Sequence, residues 1–194
     1  MIRLPGPKFR GDVSLEEAIK RRRSVRNFQK GQLSLEEISQ LLWAAQGITD
    51  PKGYRSAPSA GALYPLEVYL VVGEVKGLES GVYKYENRNH GLIKIRGGDP
   101  ASELYRAALM QDWVLRAQAN LVFGAVFERT TSKYRERGFR YVYMEAGHAA
   151  QNVLLQAEAL GLGGVVVGAF YDEQVKKALA MEEEPIYIIS LGRR

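Results

Sequence analysis

Cysteine is absent from this chain, and histidine occurs only twice, at His90 and His148. The first absence excludes disulfides, thiolate nucleophiles, iron–sulfur ligation and cysteine zinc sites, and it agrees with a reducing cytoplasm. The second leaves little material for a metal centre or a histidine-dependent triad. No apolar run approaches the roughly 18 residues of a membrane span, and the amino terminus lacks the apolar core of a signal peptide. The P-loop pattern, the dinucleotide G-x-G-x-x-G after a first strand and the G-x-S-x-G elbow are missing too. No internal repeat or low-complexity segment interrupts the chain. The reading is of a soluble, cytoplasmic protein with one globular domain, at residues 14–194, preceded by an arm at 1–13.

What is present is mostly ordinary. Of 194 residues, 46% are hydrophobic, enough for one good core. An isoelectric point near 9.4 invites a nucleic-acid reading. That reading needs basic residues along one face with aromatics between them, whereas most Lys and Arg here alternate with Glu and Asp. No nucleic-acid or membrane partner is therefore expected. The exception is Lys20–Phe28, KRRRSVRNF, which packs Lys20, Arg21, Arg22, Arg23 and Arg26 around Ser24 in a chain whose formal excess is only +5. Such concentration suits a small anion. A charged helix end complementing the dipole is the competing explanation. Three consecutive arginines cannot all face one way on a helix, but a cradle needs only two or three, completed by the Ser24 hydroxyl and loop amides.

Capping boxes at Ser14/Glu17 and Ser34/Glu37 open two helices, the first reaching about Arg23 and the second ending near Gly47. Residues 1–12, rich in Pro and Gly, read as an extended arm too polar to pack alone and expected to lie on a partner subunit. Leu66–Gly73 is a continuously apolar strand, and Gly81–Glu86 and Gly91–Ile95 form a hairpin around Asn87–His90. Helices at Pro100–Met110 and through Trp113 precede a strand at Ala119–Phe127. Thr131–Leu160 is one long helix, or two with a break near Gly138. Gly161–Gly164 stops it and leads into a strand at Val165–Gly168, then a helix at Asp172–Ala180 and a strand at Pro185–Leu191. Short strands outnumbered by helices give an α+β class with a mixed central sheet flanked by helices.

Several residue groups could carry chemistry. Glu145 and His148 form a Glu-x-x-His pair on one helical face, half of a dimetal carboxylate motif. A second such pair is lacking, so no metal is expected and His148 reads as a packed interfacial residue. His90, in a hairpin turn, should face solvent. Arg129, Lys133, Arg137 and Arg140 fall near helical spacing as a basic stripe. Either this is a solvated face, or Lys133 and Tyr134 point into a cleft where an ammonium and a phenol transfer protons.

Four stretches in order resemble the FMN-dependent nitroreductase family over roughly residues 14–194. Arg22-Arg23-Ser24-Val25-Arg26 looks like its phosphate and ribityl motif. Pro58-Ser59-Ala60-Gly61-Ala62-Leu63-Tyr64-Pro65 looks like the loop beside the flavin ring, and Glu145–Asn152 like the dimer-forming helix. Gly161–Phe170 resembles the segment whose amides approach flavin N5. The resemblance implies an intertwined homodimer with FMN bound across the subunit interface, NAD(P)H as reductant and a nitro, quinone or similar acceptor, by ping-pong transfer. It assigns cofactor contacts to Arg22, Arg23, Ser24, Arg26, Pro58, Ser59, Ala60, Ala62, Tyr64, Val166, Val167, Gly168 and Ala169, with Arg193 and Arg194 as additions. Ala62 stands where many members have Asn, and Gly168 where many have Glu. These departures, with Ala-Leu-Tyr-Pro at 62–65 and Lys133-Tyr134, resemble the branch that oxidises azoline rings in modified peptides, in which a Lys-Tyr pair is implicated in catalysis. Peptide azoline oxidation and a flavin-binding module without turnover are the alternatives.

Overall fold

A computed structural model describes all residues, Met1 to Arg194. Seven strands form one sheet: β1 (Ile2–Arg3), β2 (Leu66–Val72), β3 (Gly81–Glu86), β4 (Gly91–Arg96), β5 (Ala119–Ala125), β6 (Leu162–Val167) and β7 (Glu184–Arg193), in the order β1-β4-β3-β2-β5-β7-β6. The α+β class is as expected, but every pairing between named strands is antiparallel. Parallel pairing is confined to isolated bridges, Ser24 with Gly164 and Leu33 with Val75. The sheet is mixed only where a connecting segment runs along a strand.

Alternation along the central strands divides the core in two, because successive side chains point to opposite faces. Leu66, Val68, Leu70 and Val72 of β2 face α2 (Leu35–Gln46) and the long α6 (Arg137–Ala159), meeting Ile38, Leu41, Leu42, Val142, Ala149 and Val153. Tyr69 and Val71 face α3 (Pro100–Ala107), α4 (Asp112–Arg116) and α7 (Asp172–Leu179), meeting Leu104, Val114, Val175 and Leu179. The remaining helices are α1 (Leu15–Arg21) and α5 (Glu128–Tyr134).

Three local expectations change. The arm packs on its own chain: Ile2 pairs with Leu92, the Lys8 N–H donates to Gln40 Oε1 at 2.8 Å, and Leu4 is buried. His90 is not a free turn residue. It is half-buried, with its ring nitrogens 2.6 Å from Ser39 Oγ and 2.7 Å from Tyr85 Oη, and burial lowers its pKa. The helical segment after Thr131 does break, but at Arg135, with φ 51°, not at Gly138. Gly138 is there for clearance, since a Cβ on it would lie 2.8 Å from Thr131 Cα.

Candidate functional site

The cation-rich segment starts where α1 stops. Ser14 Oγ accepts from the Glu17 N–H at 3.1 Å to open the helix, and Arg22 leaves helical geometry at φ −50°, ψ 125°. Arg23 Nη1 donates to the carbonyls of Lys20 at 3.0 Å and Arg22 at 2.8 Å, satisfying acceptors that a helix end strands. Arg21 pairs with Glu17 one turn back. Arg26 lies over the Trp113 ring at 5.3 Å. Arg22 is half-buried and makes no ion pair.

From there the chain runs along β6. Ser24 bridges Gly164, and the Val25 N–H donates to the Gly164 carbonyl at 3.0 Å. A Cβ on Gly163 would sit 2.7 Å from the Val25 side chain, so glycine is required for the approach. The Gly161–Gly164 run therefore has two tasks: Gly161, at φ +71°, ends α6, and Gly163 admits the basic segment. Beyond it Val167 is buried, Val166 half-buried, and Gly168 and Ala169 open to solvent. Arg193 and Arg194 have other partners. Arg193 forms a two-pronged pair with Glu37, Nη1 to Oε1 at 2.7 Å and Nη2 to Oε2 at 2.8 Å, and donates to the Gln32 carbonyl. Arg194 pairs with the buried Glu158. A phosphate at either terminal arginine would have to displace a carboxylate.

The Pro58–Pro65 loop packs elsewhere, against α5 and α6. Ala60–Ala62 makes a single 3-10 turn, with Gly61 at φ 64°, and Ala62 and Tyr64 follow at φ 53° and 46°. Left-handed backbone at non-glycine residues costs on the order of 1–3 kcal/mol each and persists only where the surroundings enforce it. Tyr64 is the fixed point. Its N–H donates to Ser59 Oγ at 2.9 Å, its hydroxyl accepts from the Arg55 N–H at 3.2 Å, and its carbonyl accepts from Arg129 Nη1 at 3.0 Å. The Arg55 guanidinium stacks over its ring at 4.5 Å. Arg129 is in turn held by Glu67 at 2.6 Å, so part of the basic stripe, though exposed, is ion-paired and not free.

Lys133 and Tyr134 cover the tip of this loop. A Cβ on Gly61 would be 2.9 Å from Tyr134 Oη and 3.1 Å from Lys133 Nζ. An ammonium, a phenol and a strained small-residue turn thus share one corner, and Tyr134 packs edge-on against Tyr141 at 5.1 Å. Such a corner can deliver or accept a proton at a ligand lying on the turn.

Beneath the loop lies a group that the pattern did not single out for this role. Glu145 is 2% exposed on the inner face of α6. Gln46 Nε2 donates to its Oε1 at 3.5 Å, and Arg55 Nη1 donates to Gln46 Oε1 at 2.9 Å. Burial raises the Glu145 pKa to about 7, against the opposing pull of the Ser59 hydroxyl, Arg55 and Gln46. Its register with Val142, Ala146 and Ala149 was the available signal that it points inward. His148 is exposed and not aimed with it, and no three His, Asp or Glu side chains converge to hold a metal.

The structure therefore brings residues 22–26 to 161–168, and 58–65 to 133–134, as two assemblies in one chain. A groove of about 460 Å³ is bounded by Leu15 and Ala18 of α1, Arg55, Ser56, and Asn152 and Leu155 of α6. Asn152 Nδ2 donates to the Ser56 carbonyl at 3.1 Å across its floor.

Comparison with known proteins agrees with this architecture. MJ1384 of Methanocaldococcus jannaschii, which carries only a nitroreductase family name, is 46% identical over 183 residues, 94% of this chain and 92% of that protein. The microcin B17-processing protein McbC of Escherichia coli is 32% identical over 164 residues, 81% of this chain but 60% of McbC. A crystal structure from Ralstonia eutropha, likewise assigned by family, superimposes with a TM-score of 0.86 at 31% identity, covering 99% of this chain and 88% of its own. The model of the Nitroreductase family matches residues 19–193, which span the cation-rich segment, the strained loop and the glycine-bounded strand, and this chain belongs to that family.

Proposed function

We propose that this protein is an FMN-dependent oxidoreductase that takes a hydride from NAD(P)H and passes it to a nitro, quinone or similar organic acceptor in alternating half-reactions. The observation that carries this reading is the bridge of Ser24 to Gly164, which lays an uncommitted guanidinium and a hydroxyl beside an open glycine-bounded strand end. These residues fit a flavin phosphate. Arg22 has no carboxylate to surrender, Ser24 is exposed, and Arg23 and Arg26 are exposed within the same seven residues. Bound FMN supplies the redox chemistry at its ring, accepting and releasing the hydride.

The chain's own residues do the rest. Arg22 and Ser24 bind the phosphate, with Arg23 and Arg26 adding positive charge that favours an anionic reduced ring. The exposed main chain of Gly168 and Ala169, beyond Val166 and Val167, offers backbone groups to the ring. Pro58, Ser59, Ala60, Ala62 and Tyr64 make a small-residue wall, with the Lys133 ammonium and Tyr134 hydroxyl as proton-bearing atoms at its tip. The two assemblies are built from different segments of one chain, and in this reading a homodimer joins them, the loop of one protomer closing over the cation segment of its partner. The exposed Phe139, Tyr143 and Met144 of α6 and Leu15 and Ile19 of α1 supply apolar area for that contact.

A second reading has an observation of its own. Lys133 and Tyr134 meet the loop at Gly61, and McbC, a peptide-processing protein, is among the relatives. Both favour dehydrogenation of an azoline ring in a modified peptide. One experiment separates the readings: the purified protein is loaded with FMN, then mixed with NADH or NADPH without oxygen while flavin absorbance is followed. Rapid bleaching, reversed by a quinone or nitroarene, is expected. Stoichiometric flavin that neither nucleotide bleaches would replace the first reading with the second, and failure to bind FMN would overturn both.

A further inference from the structure

Glu145 sits where the loop's hydrogen bonds end. Ser59 Oγ accepts the Tyr64 N–H at 2.9 Å, and the same hydroxyl acts on the Glu145 carboxylate, where it opposes the rise in pKa that burial imposes. Gln46 is oriented by Arg55, which donates to its Oε1 at 2.9 Å and so turns its amide nitrogen toward Glu145 Oε1. Arg55 closes the ring by donating its N–H to the Tyr64 hydroxyl and stacking on the Tyr64 face. Ser59 and Gln46 thus both bear on one buried carboxylate, and the Gln46 amide cannot turn round without breaking its bond from Arg55. An acceptor without a proton of its own suits that position, and a carboxamide does not.

We propose that Glu145 is the positioning residue of the Ser59–Tyr64 turn: as a buried carboxylate it fixes Ser59 and Gln46, and through them holds Gly61 beneath Lys133 and Tyr134. The proposal rests on the function given above for its catalytic consequence, but not for its structural one. Four separate segments contribute to the ring: the end of α2, the Arg55 and Ser59–Tyr64 parts of the loop, and α6. The strained torsions of Ala62 and Tyr64 are the load this ring carries.

The charges around it are few. The loop contributes Arg55 and the Tyr64 hydroxyl, α2 contributes the neutral Gln46, and α6 itself contributes Tyr141 one turn earlier. From α5, Lys133 and Tyr134 lie beyond Gly61, and Arg129 is neutralised by Glu67 of β2. Arg55 is the cation that acts on the carboxylate directly, and burial presses Arg55 itself toward its neutral form. Protonation of Glu145 near neutral pH, supported by its raised pKa of about 7, removes the charge and turns one of its two acceptor oxygens into a donor, which weakens its hold on the two donors and loosens the turn.

The test compares wild type with Glu145→Gln and Glu145→Asp. Amide hydrogen exchange of the peptide covering 58–65 is measured first, on protein with and without FMN. The Gln variant should exchange there at least tenfold faster at pH 8, with α6 unchanged, and wild type should approach the variant's rate as pH falls through 7. In turnover, kcat should fall about tenfold or more with flavin stoichiometry intact, the acidic limb of the pH profile should disappear in the Gln variant, and Asp should recover part of kcat. Equal exchange of 58–65 in wild type and Glu145→Gln would overturn the proposal. So would an acidic limb that survives the substitution. Should either variant fail to fold, Ser59→Ala removes the same link from the loop side, and unchanged exchange at Tyr64 would overturn the idea equally. If wild type shows no turnover, the functional reading fails while the exchange measurement still judges Glu145.

Discussion

The cation-rich segment and the strained loop are built on opposite plans. At residues 20–26 the side chains are mostly exposed, the charges are nearly all of one sign, and Arg22 has no partner. At residues 55–65 the same kind of residue is locked: Arg55 stacks on Tyr64, bonds Gln46 and faces a buried carboxylate. In the proposed reading the first region is an incomplete site that an anion finishes. The second is complete without a ligand and presents a rigid surface. The difference teaches which property each can lose by mutation, affinity in one case and geometry in the other.

The largest expected effect sharpens that contrast. Replacing both Arg22 and Ser24 with Ala removes a charge-assisted contact and a hydroxyl, together about 2–4 kcal/mol of anion binding. Flavin titration followed by fluorescence should show affinity weakened by roughly 30- to 1,000-fold, with circular dichroism and oligomeric state unchanged. Stoichiometric flavin at wild-type affinity would move the phosphate site away from this segment.

Gly61→Ala probes the other plan and should act less on binding than on rate. The added methyl would meet Tyr134 Oη at 2.9 Å, at a φ of +64° that alanine resists. Turnover should fall about 10- to 100-fold while flavin remains bound, as expected when reacting groups are displaced by about 1 Å. Loss of flavin in step with rate would break the separation between the two regions.

The smallest effect is on stability, and its sign is fixed by burial. Folding raises the Glu145 pKa from its ordinary value to about 7, so between the unfolded value and pH 7 the native state holds a proton that the unfolded chain releases. The contribution of this group is therefore most favourable below that window and is lost as pH rises through it, by roughly 1–3 kcal/mol. Glu145→Gln should remove that slope and raise the melting temperature above pH 8, while loosening the loop. Parallel thermal melts at pH 5 and pH 8.5 measure it.

Much of the frame was legible because local rules and tertiary packing agree. The Ser34/Glu37 capping box forms with both bonds, and α2 stops at Gly47. The charge cluster at 20–26 needed no structure to be noticed. What escaped was set by distant partners. His90 is drawn inward by Ser39 and Tyr85, one on α2 and the other on β3. The break before α6 falls at Arg135, a residue with no intrinsic claim to left-handed backbone, while Gly138 serves clearance. The ring around Glu145 joins positions 46, 55, 59, 64 and 145, and no spacing rule connects side chains that meet only after the sheet has formed.

The segment between α1 and α2 is sewn to the sheet at three points: Val25 to Gly164, Gln29 to Arg193, and Leu33 to Glu74. Two of those anchors belong to the last thirty-odd residues of the chain. During synthesis the basic segment leaves the ribosome early but lacks its backbone anchor until β6 has followed it out, and the stretch behind it lacks its own until β7 has. The proposed anion site is thus encoded near the beginning and assembled at the end. A nascent chain lacking β7 would carry the charges without the shape, so ligand-dependent stabilisation can report completion of the fold itself.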